Sequence, residues 1–107
     1  MNWSVETLND DVDSEIEELP PALQARLIRL MEMIEKVGLE KMGSPHAEHL
    51  DGKLWELRAK APGGIARALY VAWTGRRVII LHVFAKKTQK TPRRALELAR
   101  KRLEELS

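Results

Sequence analysis

The sequence predicts an α+β fold in which a strand and a two-helix hairpin pack on an antiparallel sheet and a last helix closes the chain. Three observations predict it. An apolar stripe at helical spacing runs from Leu23 to Val37, three strand-like segments separated by glycine-containing turns fill residues 53–84, and a second helical stripe follows Thr91-Pro92. Strands grouped together, with helices before and after them, give an α+β layering rather than alternating parallel units. The predicted order is β-α-α-β-β-β-α, and 107 residues suit a single domain spanning 1–107.

Trp3, Val5 and Thr7 alternate and read as the first strand. Asn9, Asp10 and Asp11 then offer N-caps to a short acidic helix with Val12, Ile16 and Leu19 on its buried side. Pro20-Pro21 stops that helix and opens the next, because proline is tolerated at a first helical position. In the second helix Leu23, Leu27, Leu30, Ile34 and Val37 form one stripe, Met31 and Met33 widen it, and Gly38 is placed to end it. Residues 38–51 read as a loop containing His46 and His49.

Residues 53–60 alternate, with Leu54, Glu56 and Arg58 on one side and Trp55, Leu57 and Ala59 on the other. Pro62-Gly63-Gly64 turns the chain into a central strand from Ile65 to Trp73, apolar on both faces except at Arg67. Thr74-Gly75-Arg76-Arg77 turns it again into Val78–Phe84, a β-prone run interrupted by His82, which by simple alternation shares a face with Ile80 and Phe84. Thr91 is placed to cap the last helix and Pro92 to open it, with Leu96, Ala99, Leu103 and Leu106 as its buried stripe.

Charge is distributed unevenly. Residues 1–51 carry 12 Asp/Glu against 4 Lys/Arg, a net of −8, and residues 52–107 carry 14 Lys/Arg against 4 Asp/Glu, a net of +10. A basic surface of this kind suits an anionic polymer, and the two halves make one domain with two charge poles. No apolar run approaches the roughly 20 residues that span a membrane. The opening residues 1–6 lack the basic and apolar regions of a secretory signal, so a cytoplasmic location is expected. Cysteine is absent, which excludes disulfides and thiolate metal sites.

Two residues interrupt apolar strands and need an account. Arg67 pairs with Glu56 on the neighbouring strand, or it stands in a cleft where Arg58 joins it on a phosphate. His82 is a packed structural histidine or a proton carrier, and the neighbouring Lys86 and Lys87 would lower its pKa and keep the imidazole neutral. Arg93 and Arg94 occupy the first turn of the last helix, where the helix dipole disfavours each cation by about 0.3–1 kcal/mol. That placement makes a better anion site than a stabilising device. His46 and His49 form a weak metal signal because no third ligand is defined, and no metal or cofactor is expected.

These residues resemble a known group. Leu54-Trp55-Glu56-Leu57-Arg58, Gly64-Ile65-Ala66-Arg67 and His82-Val83-Phe84-Ala85-Lys86-Lys87-Thr88-Gln89-Lys90-Thr91-Pro92 are similar to the HigB-like, phage-derived branch of the RelE/ParE toxin superfamily. The resemblance covers essentially the whole chain. It implies a RelE-like fold and the toxin of a type II toxin–antitoxin pair. The implied activity is that of an mRNA interferase, a metal-independent endoribonuclease that relatives use on ribosome-bound mRNA to inhibit translation. It also implies a helix-turn-helix antitoxin as cognate partner and a higher-order toxin–antitoxin assembly. On that reading Arg58, Arg67, Lys86 and Lys87 hold the phosphate and His82 moves the proton, with His46 and His49 as alternates. Lys53, Lys60, Tyr70, Lys90, Arg93 and Arg94 would contact RNA. A gyrase-directed toxin of the same fold and a non-catalytic RNA- or ribosome-binding module are the rival readings.

Overall fold

A computed structural model describes residues 2–43, 46–86 and 90–106. In chain order the elements are β1 (Ser4–Thr7), α1 (Asp10–Glu17), α2 (Pro21–Val37), β2 (Ala47–Asp51), β3 (Leu54–Ala61), β4 (Gly64–Trp73), β5 (Arg77–Lys86) and α3 (Arg93–Leu103). Single 3-10 turns lie at Leu39–Lys41 and Glu104–Leu106. The strands form one five-stranded sheet in the order β1-β5-β4-β3-β2.

Local sequence chemistry sets most boundaries. The Asn9 side chain accepts a hydrogen bond from the Val12 amide at 3.2 Å and so caps α1. Pro21 sits at the first position of α2, and Gly38, at φ 94°, ends it in a conformation that favours glycine. Gly63, at φ 99°, lets Pro62-Gly63 close the β3–β4 hairpin in two residues. At α3 the expected cap is different. Pro92 occupies the capping position with no side-chain hydrogen bond, and the Thr91 hydroxyl bonds to Glu56 instead.

The structure departs from the sequence reading in three further places. The sheet is mixed: β2 to β5 pair antiparallel, but β1 pairs parallel to β5, from Ser4↔Arg77 to Thr7↔Ile80. The helical hairpin carries the chain from one sheet edge to the other, so β1 and β2 do not meet. Within the expected loop, residues 47–51 form β2, an edge strand pairing with β3. Its Ala-Glu-His-Leu-Asp sequence lacks the apolar alternation of an inner strand because an edge strand buries less. On α2, Val37 and Met33 are exposed rather than packed.

Apolar residues fill both faces of the sheet. On one face α1 and α2 place Val12, Leu23, Leu27, Leu30 and Ile34 against Leu57, Ala68, Tyr70 and Ile80. On the other, α3 sets Ala95 and Ala99 against Leu54, Leu69, Val71, Ile79 and Leu81. Leu96 and Leu103 of the same helix pack half-buried beside them, and this single helix leaves part of the face open as the candidate site.

The core under the helical hairpin is the larger of the two. Leu30→Ala, at a position with no exposed surface, is expected to lower the unfolding free energy by about 2–5 kcal/mol. Urea denaturation checks this as a lower midpoint at unchanged slope.

Candidate nucleic-acid interface

Strand alternation and register bring five of the predicted residues, Arg58, Lys60, Arg67, His82 and Lys86, to the face that carries α3. Three rungs cross β3, β4 and β5 there: Glu56–Leu69–His82, Arg58–Arg67–Phe84 and Lys60–Ile65–Lys86. With strands roughly 4.8 Å apart, Lys60 and Lys86 start about 10 Å from each other.

His82 reaches this face because of a β-bulge. The register passes from Tyr70↔Ile80 to Leu69↔His82, which leaves Leu81 as an extra residue on β5. Ile80 packs under the helical hairpin, whereas Leu81 packs with the α3 cluster. Strict alternation would therefore put His82 beside Ile80 in the larger core. The bulge turns it to the opposite face. This corrects the expectation that Ile80, His82 and Phe84 share one side.

There the C-terminal half of β5 and one flank of α3 enclose an open groove of about 570 Å³. His82, Phe84 and Lys86 line it from the strand, with Arg94, Glu97, Leu98 and Lys101 from the helix. His82 and Phe84 stack with ring centroids 5.1 Å apart. Three cations around an aromatic floor favour a phosphate chain carrying bases. Glu97 is the acidic exception, and it pairs with Arg93 at 3.6 Å.

The two buried-strand arginines are engaged differently. Arg67 is fully buried and its Nη1 donates to Glu56 Oε1 at 2.7 Å. Arg58 Nε donates to the same oxygen at 2.6 Å, and its Nη2 lies 3.3 Å from Glu48. The guanidiniums do converge on one anion, and that anion is the buried Glu56 carboxylate. Of the two readings of Arg67, the structure carries the pairing with Glu56; burial closes Arg67 to a phosphate. Thr91 bonds to the other Glu56 oxygen, tying the chain just before α3 to β3.

Other expected contacts are dispersed. Tyr70 is buried on the opposite face under the helical hairpin, and burial pushes its hydroxyl up to about 12. Its ring is closed to stacking on RNA at the groove. Lys53 lies over the Trp73 ring, 5.8 Å from its centroid, at the far end of the sheet from Lys86. Arg93 is exposed on the solvent side of α3, and Lys90 is exposed just before it. His49 packs edge-on against Trp55 and bonds to the Gly52 carbonyl, and the His46 carbonyl accepts from the Arg58 amide. Neither residue lines the groove. Lys87 lies outside the described residues. Among the described residues, no three His, Asp or Glu side chains converge as metal ligands would.

The sequence reading missed Lys101 and Glu15. Lys101 is two helical turns after Arg94 and so shares its flank of α3, a spacing visible in the sequence. Glu15 bonds to His82 Nδ1 at 3.0 Å. It is one of several similar acids in the first half, with no local feature to distinguish it, and the charge argument for His82 therefore left out a carboxylate.

Comparisons with known proteins bear on the family and the fold. The family model for phage-derived Gp49-like proteins (DUF891) matches residues 14–104. Among solved structures, a chain of the archaeal RelE–RelB complex from Pyrococcus horikoshii OT3 superposes with a TM-score of 0.59 at 19% identity. That match covers 84% of this chain and all of the other, and it shows a RelE-like fold. No curated protein matches the sequence.

The Glu56 cluster makes a sharp prediction. Glu56→Leu leaves Arg67 charged and buried without its carboxylate, and should cost about 3–5 kcal/mol. The double variant Glu56→Leu with Arg67→Met should recover at least half of that loss in chemical denaturation.

Proposed function

This chain belongs to the phage-derived Gp49-like family of RelE-like toxins, and we propose that it is the toxin of a type II toxin–antitoxin pair that cleaves mRNA in the α3 groove. The observation that carries this reading is the position of His82, turned by the bulge into a groove lined by Lys86, Arg94 and Lys101. A site that only binds RNA needs cations; a histidine set among them adds a group that moves protons near neutral pH.

In the proposed reaction the ribose 2′-oxygen attacks the adjacent phosphorus while the His82 imidazole accepts the 2′ proton. Lys86, Arg94 and Lys101 stabilise the extra negative charge on the phosphorane oxygens. The bond from phosphorus to the 5′-oxygen breaks, and that oxygen takes a proton from a protonated groove side chain. The products are a 2′,3′-cyclic phosphate and a 5′-hydroxyl. Phe84 stacks a neighbouring base. Lys60, Lys90 and Arg93 extend the basic surface along the strand, and Lys87 falls within the same basic segment. Arg58 and Arg67 act through Glu56, holding β3, β4 and the entry to α3 in place.

The Pyrococcus structure is of a toxin with its RelB partner, and a cognate antitoxin of the helix-turn-helix type is proposed here too. The acidic first half offers it a surface separate from the groove. The proposed setting is ribosome-bound mRNA in the cytoplasm; no helix among the described residues is long and apolar enough to cross a membrane.

Induced expression with mapping of transcript 5′ ends tests this reading. Wild type should arrest growth and cut transcripts, His82→Ala should lower cleavage by about 100-fold or more, and Lys86→Ala with Lys101→Ala should weaken RNA binding most at low salt and flatten its salt dependence. Arrest with intact transcripts would instead fit a gyrase-directed toxin, and RNA binding with no cleavage a non-catalytic module.

A further inference from the structure

His82 is held from behind by a network that the groove chemistry does not use. β1 stops at Thr7, so among the described residues the outer edge of β5 beyond Ile80 has no neighbouring strand. Side chains from two helices satisfy it. Glu15 of α1 accepts from the Val83 amide at 2.9 Å, and Arg102 of α3 donates to the Leu81 carbonyl at 2.8 Å. Arg102 and Glu15 also join each other, with Nη2 to Oε2 at 2.9 Å and Nη1 to Oε1 at 3.1 Å.

The same Glu15 oxygen lies 3.0 Å from His82 Nδ1. Burial alone would raise the Glu15 carboxyl. Hydrogen bonds from Arg102, the Val83 amide and His82 outweigh that effect and hold it below the usual carboxylate range. An ionised carboxylate can only accept, so a hydrogen on His82 Nδ1 is aimed at Glu15. Among the described residues Nε2 has no protein partner, and the ring that bears it lines the groove. Phe84, stacked on the imidazole, fixes the ring plane.

We infer that Glu15 is a positioning residue for His82: it selects the Nδ1–H tautomer and fixes the ring so that Nε2 presents its lone pair to the groove. A carboxylate behind one ring nitrogen sets the tautomer and orientation of a histidine in this way. The catalytic consequence rests on the function proposed above, whereas the tautomer is a property of the free protein. A purely structural Glu15, serving only the edge of β5, would not determine which nitrogen of His82 carries the proton.

Long-range proton–nitrogen NMR on the full chain, at a pH where the ring holds one proton, reads the tautomer directly. Wild type should show Nδ1–H, and Glu15→Gln should move His82 toward Nε2–H with the rest of the amide spectrum preserved. In RNA cleavage, Glu15→Gln should lower kcat by at least about tenfold and leave KM within about twofold, with Glu15→Asp recovering part of kcat. An Nε2–H tautomer in wild type would overturn the inference without any variant needing to fold, and so would a tautomer indifferent to Glu15→Gln. If the tautomer responds to Glu15 but His82→Ala cleaves like wild type, the proposed ribonuclease role of His82 fails and the positioning by Glu15 stands.

Discussion

A carboxylate buried in the middle of the sheet constrains much of this molecule. Glu56 has no exposed surface, and an uncompensated charge there would cost several kcal/mol. It is compensated by Arg67 from β4, Arg58 from its own strand and the Thr91 hydroxyl from the segment before α3. Those bonds fix where α3 begins, and α3 is one wall of the groove. A neutral replacement of the cluster could be as stable or more so. The ion pairs join β3 to β4, and the Thr91 hydrogen bond to the same carboxylate ties the segment before α3 to them.

The second constraint is the unpaired edge of β5. Buried or half-buried backbone groups need partners, and a longer β1 would have supplied them. Glu15 and Arg102 do so instead, and in doing so they connect α1, β5 and α3. The bulge at Leu81 lies on this same stretch and turns His82 outward. Edge satisfaction, strand irregularity and the orientation of the candidate proton carrier are thus features of one four-residue segment. Sheet bulges are frequent next to functional sites for this reason.

Much of the fold could be read in the sequence, because it rests on local chemistry. The α2 stripe, the Pro21 start, the Gly38 end and the Pro62-Gly63 hairpin each have a short-range cause. What escaped depends on distant partners. β2 is an edge strand whose polar sequence takes its shape from β3, and the parallel pairing of β1 follows from where the helical hairpin delivers the chain. At the site, His82, Lys86 and Arg94 were legible as a basic cluster with a proton carrier, and they line one groove. Tyr70 was misplaced because periodicity does not say which face of a doubly buried strand meets the site. Arg67 was legible only as a choice between two anions, and its burial decides that choice.

The central claim is that RNA lies in the groove between β5 and α3. Titration of isotopically labelled protein with a short 2′-deoxy-substituted RNA, which binds without being cut, tests this most directly. The account predicts shift changes concentrated at His82, Phe84, Lys86, Arg94 and Lys101, weakening as salt is raised. Changes centred on Trp55 and the exposed side of α2, with the groove silent, would contradict it.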